Sequence, residues 1–381
     1  MGQTASFNVL NYGALGDGQT DDSAAFLKAW QDVCGSSAGN VELIIPDRNR
    51  RFMLQPILFK GPCKSPSIQI KLFATITAPN SMEAWKWPDG GDRGRWIRFQ
   101  YINGLTINGR GTFDGQGAPW WACAKAGKCN QRPSALGFAS CVNLKLSRLN
   151  SVNSPGGHIG MVGGNGTIIS RLHLIAPHDS PNTDGIDIAG TTNMLIRNST
   201  IETGDDCVAI NGGTSFLNIT NVVCGPGHGI SIGSLGKGGQ FEIVEQIYVK
   251  NCTFKEGSTN GARIKTWQGG SGYAKKITFE DIILEKAENP IIIDQHYGSV
   301  VNANGGSAVK VSDITYRNVQ GISISKSAIV LKCDSNIACT NIVLENVAIT
   351  SATQTDINAV CQNAQGTCSS CKPSVSCLAN N

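Results

Sequence analysis

The sequence predicts an all-β chain wound as a right-handed parallel β-helix, and three observations lead there. First, a short phrase recurs: an apolar or β-branched residue, a polar residue, then Asn or Asp. It stands at Ile196-Arg197-Asn198, Ile219-Thr220-Asn221, Val249-Lys250-Asn251, Phe279-Glu280-Asp281, Tyr316-Arg317-Asn318 and Leu344-Glu345-Asn346, with degenerate copies at Leu146-Ser147-Arg148 and Ile169-Ser170-Arg171. Successive copies lie 23 to 37 residues apart, and no helical pattern separates them. That period suits one coil of a solenoid, whose apolar face is buried only against its neighbours. Second, there are 45 glycines and no window dominated by Leu, Ala, Glu or Lys, so turns are many and helices few. Third, 40% of residues are apolar and only 16% charged, enough for a large core and contrary to disorder. Because solenoids outgrow the usual domain size, residues 1–381 are read as a single domain.

In chain order, Phe7-Asn8-Val9-Leu10 reads as a strand, and Gly13, Gly16 and Gly18 as a turn. A helix follows over about 21–33, capped by Thr20 or Asp21 and the only convincing one in the chain. Residues 7–35 thus form an N-terminal strand and capping helix, which covers strand edges that would otherwise stay open. Trp120 and Trp121 are expected to fill core beneath a loop. The Asn and Asp of each phrase are placed at a bend as a ladder, since these residues tolerate left-handed backbone. From about Gln354 the repeat fades, and 354–381, with Cys361, Cys368, Cys371 and Cys377, is read as a disulfide-stapled cap.

Composition excludes several classes. A formal charge of +4 without a Lys/Arg run does not describe a nucleic-acid binder, though it favours an anionic substrate if concentrated in a groove. No apolar run approaches the length of a membrane span. Fourteen cysteines and four glycosylation sequons, at Asn165, Asn198, Asn218 and Asn251, indicate an oxidising, secretory history. Asn198 and Asn251 lie in the ladder and are expected to be shielded, leaving Asn165 and Asn218 as the better acceptors. Met1-Gly2-Gln3-Thr4 lacks a leader pattern, so a leader is expected to have been removed.

Four groups carry chemistry: Pro181-Asn182-Thr183-Asp184-Gly185, Gly204-Asp205-Asp206-Cys207, Gly227-His228-Gly229 and Arg263-Ile264-Lys265. The first three recur 21 to 23 residues apart, so coiling stacks them about 4.8 Å apart on one wall. Hydrolysis of a glycosidic bond needs one protonated and one ionised carboxyl. Three crowded aspartates supply both, because at least one pKa must rise. A turn ladder or a calcium site is the alternative reading of the same residues. His228 is placed to bond the acid and hold its proton, and its flanking glycines to admit a ligand close to the backbone. Arg263 and Lys265, two apart on a strand, face the same way and suit a carboxylated sugar. Tyr297 falls one coil further and is placed to stack on a sugar, while His158 is placed at the groove.

These four groups, in this order and spacing, resemble the signature motifs of polygalacturonases, the pectin-cleaving glycoside hydrolase family, in their plant form. The resemblance runs from Phe7-Asn8-Val9 to about Cys339. It implies a right-handed parallel β-helix that hydrolyses α-1,4-galacturonan with inversion. Asp205 would be the general acid, Asp184 and Asp206 would activate water, and His228 would assist. Asn182, Arg263, Lys265, Tyr297 and His158 would bind galacturonate, with no metal and no cofactor. Carboxylates stacked at about 5 Å would by separation alone indicate retention, and inversion is expected on the strength of the resemblance. Partly by resemblance, Cys207 pairs with Cys224, Cys34 with Cys63, Cys333 with Cys339 and Cys123 with Cys129, leaving Cys141 and Cys252 as buried thiols. The chain departs from the pattern at Gly298, where plant members usually have Cys after the tyrosine, and at Gly157, where a bulkier residue is common. The expectation is a secreted, monomeric cell-wall enzyme acting on homogalacturonan, probed by cell-wall inhibitor proteins. Arg263-Ile264-Lys265-Thr266-Trp267-Gln268-Gly269-Gly270 points to endo action. The alternatives are exo action, a calcium-dependent pectate lyase, or a non-catalytic wall-binding protein.

Overall fold

The computed structural model describes residues 4–88, 92–129, 131–298, 308–353 and 356–380. The chain divides into two compact units, Met1–Ile186 and Asp187–Asn381. In the first unit the coils build three parallel sheets, and the first coil, Thr4–Asn8 and Asp17–Asp21, supplies strands to two of them. The front sheet stacks Ile57–Lys60, Arg95–Gln100, Ser134–Ala139 and Ile159–Val162. A second sheet runs from Thr4–Asn8 through Asn40–Ile45, Ile68–Leu72, Leu105–Asn108 and Lys145–Ser147 to Asn165–Ser170. The third runs from Asp17–Asp21 through Arg51–Met53, Thr75–Thr77, Thr112–Asp114 and Asn150–Val152 to His173–Ile175. Phe59, Phe99 and Phe138 stack inside the front sheet with ring centroids 5.0 and 5.1 Å apart.

Two helices belong to this unit. Helix α1, Ser23–Gly35, starts later than expected, and of the two expected caps it is Asp21 whose carboxylate accepts the amide of its first residue, Ser23, at 3.0 Å. Asp22 occupies the cap position, but its carboxylate faces backward and accepts from the amides of Leu15 and Gly16. The apolar side of α1 packs onto the coils through Phe26 against Phe52 and Trp30 against Phe59, and Cys34–Cys63 fastens its end. Val9 and Leu10, expected as strand, instead begin a 3₁₀ turn, Val9–Tyr12, whose start is capped by Asn8. Helix α2, Ala118–Lys125, was not expected. It holds Trp120 and Trp121 in the core, with the Trp121 indole bonded to the Ser154 carbonyl.

In the second unit two of the three faces merge into long bent strands: Thr192–Glu202, Thr214–Cys224, Phe241–Phe254, Ser271–Ala287, Lys310–Ser323, Cys339–Ser351 and Ala364–Lys372. The bend falls at Asn198, Asn221, Asn251, Asp281, Asn318 and Asn346, all with φ between 50° and 54°. Arg148 and Arg171 do the same in the first unit. The ladder is explicit where the Asn221 amide donates to Asn198, Asn318 to Asp281 and Asn346 to Asn318. Five residues ahead of each corner sits another with positive φ: Asn193, Phe216, Gln246, Lys276, Asp313 and Asn341. The apolar residue of each phrase pairs with that of the next coil, from Ile196 through Ile219, Val249, Phe279 and Tyr316 to Leu344, all of them buried. The polar residue between them carries alternating charge in Lys250–Glu280, Glu280–Arg317 and Arg317–Glu345.

The front sheet of this unit stacks Val208–Ile210, Ile230–Leu235, Asn260–Thr266, Asn289–Asp294, Ser327–Lys332 and Asn358–Gln362. Gln354 lies outside the described residues, but the coil pattern does not fade beyond it. Asn358–Gln362 and Ala364–Lys372 add another coil, pinned by Cys361–Cys377 and Cys368–Cys371. The four other expected pairings also form, and Cys141 and Cys252 are free and buried. All four sequon asparagines are exposed, which corrects the shielding expected for Asn198 and Asn251: the corner puts the side chain outside the coil. Among the described residues no helix is long and apolar enough to cross a membrane.

The Tyr316 hydroxyl is buried with no hydrogen-bond partner among the described residues, its ring stacked on Phe279 at 5.5 Å. Removing an unsatisfied buried hydroxyl relieves its desolvation cost, so Tyr316→Phe should stabilise the protein by about 1 kcal/mol. Urea unfolding would check this, and a destabilised variant would mean that the hydroxyl is bonded.

Candidate active site

In the second unit the turn after Thr192–Glu202 carries Asp205 and Asp206 into the front sheet. The turn is fixed by main-chain bonds to the next coil: the Cys207 amide donates to Gly229 and the His228 amide to Asp205, both at 2.8 Å. Cys207–Cys224 ties the same two coils together. The glycines flanking His228 are required by this packing. A β-carbon on Gly229 would lie 2.3 Å from the Gly261 carbonyl oxygen, and one on Gly227 2.8 Å from that of Asp205.

Asp206 is the centre of the cluster, with 2% of its side chain exposed. One carboxylate oxygen accepts from Arg263 Nη2 at 2.5 Å and from Ser231 Oγ at 2.8 Å, and the other accepts from Lys265 Nζ at 2.7 Å. Arg263 Nε also donates to Ser231 Oγ at 2.8 Å, which closes a ring of three side chains. Ser231 and Arg263 are direct partners in the sheet register, so adjacent strands deliver the ring. Arg263 and Lys265 therefore face the same way, as their spacing implies, and both are held by Asp206. Sequence reasoning missed Ser231, because its role arises only from pairing across coils.

Beside this ion cluster, Asp205 Oδ1 lies 2.8 Å from His228 Nδ1 and accepts the Asp206 amide at the same distance. A single proton bridges carboxylate and imidazole, whichever of them carries it. Burial pushes the Asp205 carboxyl up, but the His228 bond and charge, the Asp206 amide and the Lys265 ammonium outweigh it and hold it below the ordinary value. The crowding expected to raise a carboxyl pKa is here answered by neighbouring cations. A carboxyl depressed on folding adds stability above its unfolded pKa, and that stability is lost as pH falls through the folded value.

Asp205, Asp206 and His228 each offer a ligand atom within 4.8 Å of the others, a spacing compatible with a cation. However, Arg263 and Lys265 already engage both oxygens of Asp206. A divalent ion would have to displace them or lie against their charge, so the donor set does not suit a metal. Tyr297 stands edge-on to Trp267 with centroids 5.6 Å apart, and Lys265 Nζ lies 5.2 Å from the Tyr297 ring centre. Lys237 is similarly placed 5.4 Å from the Trp267 ring centre. A β-carbon on Gly298, whose φ is 76°, would lie 2.3 Å from the Trp267 ring, so a cysteine does not fit there.

In the first unit, Asp184 follows Asn182, which adopts φ 50°. The Asp184 carbonyl accepts the His158 amide at 2.7 Å, so the two residues meet through their backbones. His158 was expected at the groove, but its side chain is 0% exposed. Its Nδ1 lies 2.8 Å from Ser151 Oγ, and burial pushes its pKa down to about 3, so it is a neutral interior residue. Asn182 is exposed, and its side-chain oxygen accepts from Arg132 Nη2 at 2.8 Å.

Arg132 is a second residue that sequence reasoning missed. Its guanidinium also donates to the carbonyls of Pro181, Pro155 and Cys129, at 2.9, 3.2 and 3.2 Å. It thereby joins the loop before Asp184 to the Ser154-Pro155 turn and to the loop closed by Cys123–Cys129.

Comparison with known proteins gives the class, a glycoside hydrolase. Residues 34–371 match the model of glycosyl hydrolases family 28, and the chain belongs to that family. A probable polygalacturonase of Arabidopsis thaliana is 46% identical over 380 residues, covering 98% of this chain and 80% of the relative. Polygalacturonase-2 of Solanum lycopersicum is 40% identical over 366 residues, covering 93% and 77%. Among solved structures, an endo-xylogalacturonan hydrolase from Aspergillus tubingensis superposes with a TM-score of 0.78 at 23% identity, over 97% of this chain and 96% of that one. The fold is the right-handed parallel β-helix.

If Arg132 holds the Asp184 loop, Arg132→Ala should lower kcat about tenfold or more through misplacement, with a smaller effect on KM. Arg132→Lys should recover only part, because an ammonium lacks the planar fork. An unchanged kcat in Arg132→Ala, with the fold intact by circular dichroism, would show that the loop is fixed by other contacts.

Proposed function

We propose that the protein is a polygalacturonase that hydrolyses the α-1,4 bonds between galacturonate units of homogalacturonan, acting within the chain and with inversion. The observation that carries this reading is the placement of two cations, Arg263 and Lys265, on the carboxylate next to the Asp205–His228 pair. A substrate bearing a carboxylate on every sugar needs fixed positive charge beside the acid that cuts it, and Arg263 and Lys265 retain further N–H groups for that purpose. The family membership and the plant relatives support the same substrate.

In this reading the proton shared by Asp205 and His228 passes from Asp205 to the glycosidic oxygen as the bond from that oxygen to the anomeric carbon breaks. A water attacks the same carbon from the opposite face, and its proton passes to Asp184 or Asp206. His228 holds the shared proton at Asp205 and returns it between turnovers. Arg263, Lys265, Tyr297 and Asn182 bind the galacturonate units, and His158 supports the Asp184 backbone from inside. We read residues 1–381 as one domain, because the family match runs through both compact units. Six disulfides fit secretion to the cell wall. Four exposed sequons fit glycosylation, and a monomer and recognition by wall inhibitor proteins complete the proposal.

Asp205→Asn should lower kcat on unesterified polygalacturonate by about a thousandfold, consistent with loss of a general acid from a coupled site. Full activity in that variant would remove Asp205 from the mechanism. His228 depresses the Asp205 pKa, so His228→Ala should shift the alkaline limb of the kcat profile to higher pH while reducing its height. A limb that stays in place would separate His228 from the acid.

Proton NMR of the first product should show the inverted anomer, and early digests should contain oligomers. Retention would overturn the assignment of water as the direct nucleophile, and monomer alone would mean exo action. Activity should persist in chelator without gain of ultraviolet absorbance, which a calcium-dependent lyase would not allow.

A further inference from the structure

We propose that Asn218 carries an N-linked glycan whose first N-acetylhexosamine is seated in a groove of the second unit, against Phe216 and Tyr248. The proposal rests on the secretory route of the preceding section and is independent of the substrate. The groove has a volume of about 430 Å³, within the range that holds a small ligand, and Phe216, Asn218, Gln246, Tyr248, Lys276 and Thr278 line it.

Strand register builds the groove. Leu217, Ile247 and Ile277 are successive partners across three parallel strands, and all are buried. The residues on either side of them therefore face outward in two columns. Phe216, Gln246 and Lys276 form one, and Asn218, Tyr248 and Thr278 the other. Tyr248 lies opposite Asn218 on the next coil, about 4.8 Å along the ladder, and its hydroxyl is bonded to Glu280. Asn218 is exposed, and its side chain makes no hydrogen bond among the described residues. Asn198, by contrast, is tied into the corner ladder, where its side-chain oxygen accepts from Asn221. Gln246 and Thr278 also make no side-chain hydrogen bond among the described residues, which leaves an amide and a hydroxyl for the polar groups of a sugar.

Phe216 is the residue that a bare strand does not account for. It adopts φ 54° and is 55% exposed. Left-handed backbone strains a bulky side chain, and a ring left in water gains no burial to offset that strain. The equivalent corners of the other long strands hold Asn193, Gln246, Lys276, Asp313 and Asn341, all of them polar. Two places before the other sequon asparagines stand Gly163, Ile196 and Val249, so Asn218 alone has an aromatic ring at that position. One face of a pyranose ring presents only C–H bonds and covers an aromatic ring well. A sugar on Asn218 has such a ring two residues away and a second aromatic side chain on the next coil.

The donor of the glycan is a lipid-linked diphosphate oligosaccharide. Asn218 Nδ2 forms a bond to the anomeric carbon of its first sugar as the bond from that carbon to the diphosphate oxygen breaks. The diphosphate leaves with the electron pair, and the amide gives up one proton. Thr220 completes the sequence that the transfer requires, with Ile219 rather than proline between the two.

The test secretes the full chain from plant cells behind a leader and maps its glycopeptides by mass spectrometry. Asn218 should be occupied, and an unmodified Asn218 would overturn the proposal. A double-mutant cycle then reads the seat. Removal of the glycan by Asn218→Gln should lower Tm by about 2 °C when Phe216 is present and leave it unchanged in the Phe216→Asn background. Phe216→Asn suits left-handed backbone, as Asn193 and Asn341 do at the equivalent corners, so the variant is expected to fold. In parallel, enzymatic release of the Asn218 glycan from the folded protein should run about tenfold faster in Phe216→Asn, because the ring no longer shields the linkage. Equal losses of Tm in both backgrounds, with equal release rates, would overturn the seat. Should Phe216→Asn not fold, the release rate in Tyr248→Ala gives the same comparison. None of these residues belongs to the active site, so failure of the unmodified protein to cut polygalacturonate would count against the function proposed above and not against the glycan.

Discussion

Within each unit the fixed register of parallel strands is the constraint on which the rest depends. A main-chain hydrogen-bond ladder sets the spacing between coils, and with it the spacing of every side chain that faces the same way. The apolar line from Ile196 to Leu344 and the charge alternation of Lys250, Glu280, Arg317 and Glu345 come from one register, read on opposite faces of the same strands. The Ser231–Arg263 pairing at the ion cluster is the same device on the front sheet. A slip of one residue would exchange inside for outside along a whole strand, so the site is only as secure as the stack.

The ion cluster shows how the stack serves chemistry. Asp206 is almost wholly buried, yet three donors from two strands satisfy it, which limits the desolvation cost that an isolated carboxylate would incur there. Its neighbour Asp205 is kept different by its contact with His228 and by its greater exposure. Two adjacent residues of one type thus acquire different environments, the condition under which one carboxyl handles a proton while another holds charge.

Much of this was legible in the sequence because it repeats. Asn and Asp at the corners announce left-handed backbone, and the apolar residue two places earlier announces the core. The motif residues Asp205, Asp206, His228, Arg263 and Lys265 do meet in the second unit. What escaped notice lacks local signal. Three of the six earlier corners are occupied by Phe216, Gln246 and Lys276, which no turn preference singles out. Helix α2 is short, and its paired tryptophans read as core filling without declaring a period. Ser231 and Arg132 act on partners far along the chain. His158 looked like a groove residue because hydropathy cannot tell an imidazole facing the interior from one facing out.

The five-residue step between the paired corners of the six long strands from Thr192–Glu202 to Cys339–Ser351 has an evolutionary consequence. Since that short edge does not vary, all differences in coil length must be absorbed elsewhere on the circumference. Residues gained or lost there leave the buried stack untouched and alter only what projects around the front sheet. Descendants of such a chain are free to acquire new rims, and with them new preferences among polysaccharides, while the scaffold beneath stays the same.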